Sequence, residues 1–124
     1  MTGWPSDELE KIAAADELKL ASVRLNGTLR KPVTIWVVRH GDDLYVRSWL
    51  GRTSTWFRGV QDRHEGHIRA GGVDKDVVFV EPDADVRDAV DAAYRAKYKN
   101  YDALHVDPMV AAPAQDATLK LVPR

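Results

Sequence analysis

The 124-residue chain contains no cysteine. Disulfides, thiolate nucleophiles and thiolate metal sites are therefore excluded. It also lacks any apolar run near the roughly 20 residues that a membrane-spanning helix requires. No basic-then-apolar leader occupies the first thirty residues, so the expectation is a soluble cytoplasmic protein with no membrane partner. The phosphate-loop signature G-x-x-x-x-G-K-[ST] and the dinucleotide signature G-x-G-x-x-G are both missing, which argues against an ordinary nucleotide fold. No G-x-S-x-G elbow presents a serine nucleophile, and no side chain is assigned a catalytic role. Internal repeats and low-complexity runs are absent too. Net charge is only −1, so the molecule as a whole is not drawn to polyanions.

What is present describes an ordinary globular domain: 44% of residues are apolar and 30% charged. A chain of this length fits one domain, residues 1–124, and folding should bury about 65% of the surface of the extended chain. The small net charge hides an asymmetry. Residues 47–69 hold five arginines against Asp62 and Glu65, a balance of +3. Residues 81–91 hold five acids against Arg87, a balance of −4. One patch can therefore hold an anion although the whole cannot.

Hydrophobic period gives the elements. Ser6 is suited to cap a short helix that runs to about residue 15, with Asp7 and Glu8 in its first turn and Leu9, Ile12 and Ala13 at helical spacing. Leu18 and Leu20 alternate as a strand, and Asn26-Gly27 supplies a tight turn. A second strand, Val33 to Arg39, is apolar on both faces, so a helix or a second subunit must cover its outer side. Leu44 to Ser48 reads as a third strand, with Leu44, Val46 and Ser48 opposite Tyr45, Arg47 and Trp49. One helical turn is expected near Trp56. His67–Ala70 and Asp74–Val80 form a hairpin around Gly71-Gly72. From Asp85, with Asp83 or Asp85 as cap, Val86, Val90, Ala93, Tyr94, Lys97, Tyr98 and Tyr101 recur at helical spacing. On the helix's other side Asp91 and Arg95 form an i,i+4 pair. Residues 108–115 read as a loop, and Thr118–Val122 as a sixth strand. The terminal LVPR coincides with a protease-tag scar, but the alternation from Leu119 assigns it to that strand. The class is α+β: a small antiparallel six-stranded split β-barrel with an N-terminal and a C-terminal helix.

Two stretches invite chemistry. HEGH (His64, Glu65, His67) has histidines at i and i+3 around a glycine rather than at the i and i+4 of a zinc-peptidase helix, so it reads as a solvated loop and no metal is assigned. The segment RSWLGRTSTWFRG, Arg47 to Gly59, concentrates three arginines, two tryptophans and four hydroxyls. Guanidinium forks and hydroxyls suit a phosphate, and indoles suit a planar ring. Spacing alone leaves a ligand cleft and plain packing as alternatives.

The order P-V-T-I-W-V-V-R-x-G-D-D-L-Y-V-R-S, a glycine-containing loop, T-W-F-R-G-V and G-H-I-R-A-G-G resembles the split-barrel flavin and deazaflavin binders over residues 17–101. The similarity is greatest to the deazaflavin-dependent nitroreductase branch. The whole chain resembles a bacterial family of small domains of unknown function related to that branch. The resemblance implies a phosphate held by Arg47, Ser48, Arg52 and Thr53, an aromatic pair at Trp56 and Phe57 beside the cofactor, and Thr34 and Trp36 passing the ring. It also implies a homodimer. With Trp49, the cofactor-binding set is Thr34, Trp36, Arg47, Ser48, Trp49, Arg52, Thr53, Trp56 and Phe57, for FMN or a deazaflavin. The expected function is an oxidoreductase acting on a small molecule. Gly59 stands where the nitroreductase-like pattern has asparagine, and G-T-L-R-K-P replaces a more basic, serine-containing lead-in; either change fits altered cofactor choice or a cofactor-free cleft. The rival expectation is therefore a non-enzymatic dimeric binding or assembly module, its tryptophans packed at an interface and its arginines meeting the partner's acidic helix. Single-stranded nucleic acid stacked on Trp49 and Trp56 is a third reading, opposed by the acidic balance and the lack of a lysine stripe.

Overall fold

The computed structural model describes residues 3–124. Strands β1 (Leu18–Ser22), β2 (Val33–Ile35), β3 (Val38–His40), β4 (Asp43–Arg47), β5 (Glu65–Ala70), β6 (Val73–Val80) and β7 (Thr118–Pro123) form one antiparallel sheet in the order β2-β1-β5-β6-β7-β4-β3. Its edge strands β2 and β3 are consecutive in the chain and separated only by Trp36 and Val37. Ile35 and Val38 thus lie at most about 11 Å apart, which obliges the sheet to curl until its edges approach each other. The result is a curled antiparallel half-barrel. The strand count is seven rather than six because the expected second strand breaks at Trp36-Val37: its first half pairs with β1 (Ile35 with Leu18) and its second with β4 (Val38 with Tyr45).

Among the described residues, five helices surround the sheet: α1 (Ser6–Ala14), α2 (Thr55–Arg63), α3 (Arg87–Lys97), α4 (Ala103–Val106) and α5 (Ala112–Asp116). The cap of α1 differs from expectation. Pro5 occupies the cap position and Ser6 is already helical, with no side-chain cap bond. The expected turn near Trp56 is a nine-residue helix, because Ser54 caps it by accepting from the Phe57 N–H. Both expected turns form: Gly27 has φ 89°, and Gly71 and Gly72 have φ 58° and 83°, values an L side chain rarely adopts. The segment expected as a loop, residues 108–115, is instead helical in short pieces: a 3₁₀ turn at Asp107–Val110 and then α5, with α4 just before them. Pieces of four and five residues carry no readable period.

Inside the curl, Leu18, Leu20, Leu44, Val46, Phe57, Ile68, Phe79, Leu119 and Leu121 form the main core, closed at one end by Leu9 and Ile12 of α1. Trp4 joins it, its indole N–H donating to the Leu121 carbonyl at 2.9 Å. A second core lies on the outer face, where Val90 and Tyr94 of α3 and Tyr98 just after it meet Val38 and Tyr45, with Val106 and Met109 alongside. The doubly apolar strand is therefore covered by α3 of the same chain. Trp36 joins this layer by stacking on Tyr98, with ring centroids 3.9 Å apart and planes 6° from parallel. No helix among the described residues is long and apolar enough to cross a membrane.

Candidate ligand-binding site

Strand parity puts Tyr45 and Arg47 on the outer face of β4, under α3. The Arg47 side chain is 0% exposed. A bare guanidinium there would cost several kcal/mol, at least ~3 by analogy with broken buried pairs, and the chain supplies partners. Nη1 donates to Asp91 of α3 at 2.5 Å and to the Met109 carbonyl at 2.9 Å; Nε donates to Thr118 Oγ1 at 2.8 Å; Nη2 donates to the Arg87 carbonyl at 3.2 Å. Four of the five guanidinium N–H donors are thereby occupied, and Tyr94 lies 5.5 Å beneath. Arg47 is a bolt between sheet, α3 and the 3₁₀ turn. Asp91, expected to pair with Arg95, is taken by Arg47 and by the Gln115 amide at 2.8 Å, while Arg95 reaches Asp107 at 3.7 Å.

The other expected phosphate ligands are also occupied within the chain. Ser48 is buried and donates to Ser54 at 2.7 Å, holding the capping hydroxyl of α2 in place. Thr53 donates back to the Leu50 carbonyl at 3.2 Å. Arg52 does not line the indoles' cavity; it pairs with Glu81 at 2.6 Å and the Asp116 carbonyl at 2.9 Å, its guanidinium over the Phe57 ring. Its hydrogen bond holds the Glu81 carboxyl below the usual carboxylate range, and Glu81 in turn raises Arg52. Phe57 is sealed in the core at 0% exposure. Gly51, with φ 76°, bends the chain against Pro113 of α5, not around open space.

The indoles behave differently. Trp36, Trp49 and Trp56 come from the β2–β3 joint, the loop after β4 and α2, yet they line one cavity of about 540 Å³. Thr34, Ile35 and an edge of Arg47 share its wall. The rest of the lining is Leu104 and His105 of α4, for which no element was expected, and Pro108 and Met109 of the segment expected as loop. Five of the nine expected residues thus meet at one hollow; Ser48, Arg52, Thr53 and Phe57 do not line it. Leu104, His105, Pro108 and Met109 escaped sequence reasoning, although Leu104 and Met109, with Val106 between them, mark the stretch as apolar. Trp56 also lines a second hollow of about 450 Å³, bordered by Arg24, Arg30 and Lys31 from the turn after β1 and the residues before β2. Arg30 there is paired with Asp62 and bonded to Gly59 O and Ser22. Among the described residues, Arg24 bonds only neutral oxygens, Thr28 Oγ1 and the Leu29 carbonyl.

The HEGH residues serve the β5 hairpin. His64 ends α2 in the left-handed region, and Glu65 pairs with Arg63 and Arg124. His67 sits between Asp76 and Asp74; the hydrogen bond with Asp76 raises its pKa most, and Asp74 adds to it.

Curled antiparallel sheet and flanking helices make this an α+β half-barrel protein. The chain belongs to the family described as "Uncharacterized protein conserved in bacteria (DUF2255)", which it matches over residues 8–121. No curated protein matches it in sequence. Among solved structures it is similar to a candidate pyridoxamine 5′-phosphate oxidase from Listeria innocua, with 13% identity, 95% of this chain and 91% of that one covered, and a TM-score of 0.64. An F420 reductase superposes over 98% of this chain and 94% of its own at 15% identity, TM-score 0.53. An FAD- and haem-binding protein from Mycobacterium smegmatis does so over 95% of this chain and 65% of its own at 16% identity, TM-score 0.57. At such identities the likeness is one of fold.

Proposed function

We propose that this protein binds a planar, phosphorylated ring of the flavin or deazaflavin type and serves as an oxidoreductase on a small molecule. The observation that carries the reading is the convergence of Trp36, Trp49 and Trp56 on one cavity of about 540 Å³, within the size range of small-molecule sites. Three indoles supply flat, polarizable surface for a fused ring, and Thr34 can bond its edge. The ring end of such a cofactor fits the residues present; the phosphate set expected from sequence does not, since Arg47 and Arg52 already hold carboxylates. The hollow across Trp56, with Arg24 and Lys31 on its border, is the better place for an anionic end. A flavin-type ring supplies hydride or electron transfer when bound, and the chain's share is to orient the ring and exclude water. That the similar structures include an F420 reductase and an FAD- and haem-binding protein supports this reading. A homodimer belongs to it: Trp49 and Leu104 are 58% and 83% exposed at the cavity and would be covered by a second copy.

The rival reading is a cofactor-free binding module. It expected its arginines to meet the partner's acidic helix, whereas Arg47 meets Asp91 of its own α3; what favours it is that Arg47 and Arg52, the expected phosphate ligands, already hold carboxylates. One experiment separates the two. Visible absorbance of the purified protein, then fluorescence titration with FMN and with a deazaflavin, should show saturable binding that Trp56→Ala weakens at least tenfold. Flat titrations with both would favour the cofactor-free module.

A further inference from the structure

One indole of the cavity belongs to a cluster of rings that reaches the surface. Trp36 stacks on Tyr98, with centroids 3.9 Å apart and planes 6° from parallel, and meets Tyr101 edge-on at 5.0 Å. Tyr98 and Tyr101 are themselves edge-on at 5.5 Å. Among the described residues the other two indoles have no such connection. Trp56 meets only Phe57, a ring much harder to oxidise than an indole or a phenol, and Trp49 is in no ring pair.

The tyrosines differ in where their protons can go. A phenol that loses an electron near neutral pH must lose its proton as well. The Tyr98 hydroxyl accepts from the Val37 N–H at 3.3 Å and donates to the Asp16 carbonyl at 2.6 Å. A carbonyl is no base for that proton, and burial raises the pKa of the phenol. Tyr94, with its ring 6.1 Å from Tyr98, is 0% exposed, and its hydroxyl has no partner among the described residues. Tyr101, just after α3, is 44% exposed, so water is available to take its proton.

We propose that Trp36 and Tyr101 form a one-electron relay that carries oxidising equivalents from a redox-active ring in the cavity to reductants in solution, with Tyr98 holding the two rings in place. The proposal rests on the reading of this cavity as a site for a flavin-type ring. Trp36 gives one electron to the light-excited ring. Tyr101 then returns one electron to Trp36 and releases its phenolic proton to water. A hydrogen-atom donor of the ascorbate class restores the phenol.

FMN binding is first measured by fluorescence titration in the intact protein and in Tyr101→Phe, Trp36→Phe and Tyr98→Phe. Each protein, saturated with FMN without oxygen, is then excited by a blue flash and its radicals are followed by transient absorption. In the intact protein the tryptophanyl band should give way to a tyrosyl band, at a rate independent of protein concentration, and ascorbate should erase it. Tyr101→Phe should bind FMN as the intact protein does but lose the tyrosyl band, leaving a long-lived tryptophanyl radical. Trp36→Phe should also lose the tyrosyl band, and Tyr98→Phe should keep it. FMN binding without a tyrosyl band in the intact protein overturns the relay and leaves the ligand site standing. A band that survives in Tyr101→Phe, or one whose rise scales with protein concentration, does the same. Absence of FMN binding overturns the relay together with the reading it rests on.

Discussion

Replacing Asp91 by asparagine tests whether Arg47 is a structural bolt. The substitution keeps the shape of the side chain but removes its charge, and it leaves one oxygen to receive two donors, Arg47 Nη1 and the Gln115 amide. Removing one partner of a buried pair typically costs about 3–5 kcal/mol. Two features lower that figure here. Asp91 is 20% exposed, and Arg47 retains Thr118, the Met109 carbonyl and the Arg87 carbonyl. The expected loss is therefore about 2–4 kcal/mol. At about 4 °C per kcal/mol for a chain of this size, that is a fall in Tm of roughly 8–16 °C. Glu81→Gln is the control, because the Arg52–Glu81 pair is 48% and 44% exposed and an exposed pair contributes less than about 1 kcal/mol. Urea unfolding at neutral pH, followed by tryptophan fluorescence and far-ultraviolet circular dichroism, measures both variants. If Asp91→Asn moves the midpoint no further than Glu81→Gln, Arg47 is not held by that carboxylate and its assignment as a bolt fails.

Other consequences follow from local geometry. A Cβ at Gly66 would stand 2.5 Å from the Ala21 carbonyl oxygen and 2.7 Å from Phe79 Cε2. Gly66→Ala should therefore force β1 from β5 and cost at least about 2 kcal/mol in urea melts, a value near zero refuting the register. Burial lowers the pKa of Lys97 from 10.5 to about 8, although its ammonium donates to the Val37 carbonyl at 2.6 Å. The unfolded chain then holds this proton more tightly than the folded one, so stability should rise as pH climbs from about 8 toward 10.5. Lys97→Met should remove that rise; melts at pH 7.5, 9 and 10 with unchanged slopes in the variant would contradict the burial.

The strands and hairpins were legible because their signals are local. Alternation marks Leu18 and Leu20, and Asn26-Gly27 and Gly71-Gly72 carry their own backbone preference. The amphipathic α3 was legible for the same reason, as was the need to cover both faces of the second strand. Which element does the covering was not, since α3 follows that strand by some fifty residues. The break at Trp36-Val37 stayed hidden because a kinked strand and a straight one share the same apolar run. The site was legible by halves. Trp36, Trp49 and Trp56, read from sequence as flat surface for a ring, line one hollow. Guanidinium groups hold phosphate and carboxylate equally well, so Arg47 and Arg52 could be assigned only once Asp91 and Glu81 were seen opposite them. Ser48 and Thr53 misled for a similar reason, their hydroxyls serving the loop itself.

The central claim, that the tryptophan cavity receives a planar ring, is tested most directly by nuclear magnetic resonance of the four indole N–H groups during titration with FMN or a deazaflavin. Trp4 serves as an internal reference, buried and bonded to the Leu121 carbonyl. The account predicts saturable shifts of the Trp36, Trp49 and Trp56 signals while Trp4 stays in place. Four unmoved signals at saturating ligand, or shifts confined to an indole outside the cavity, would contradict it.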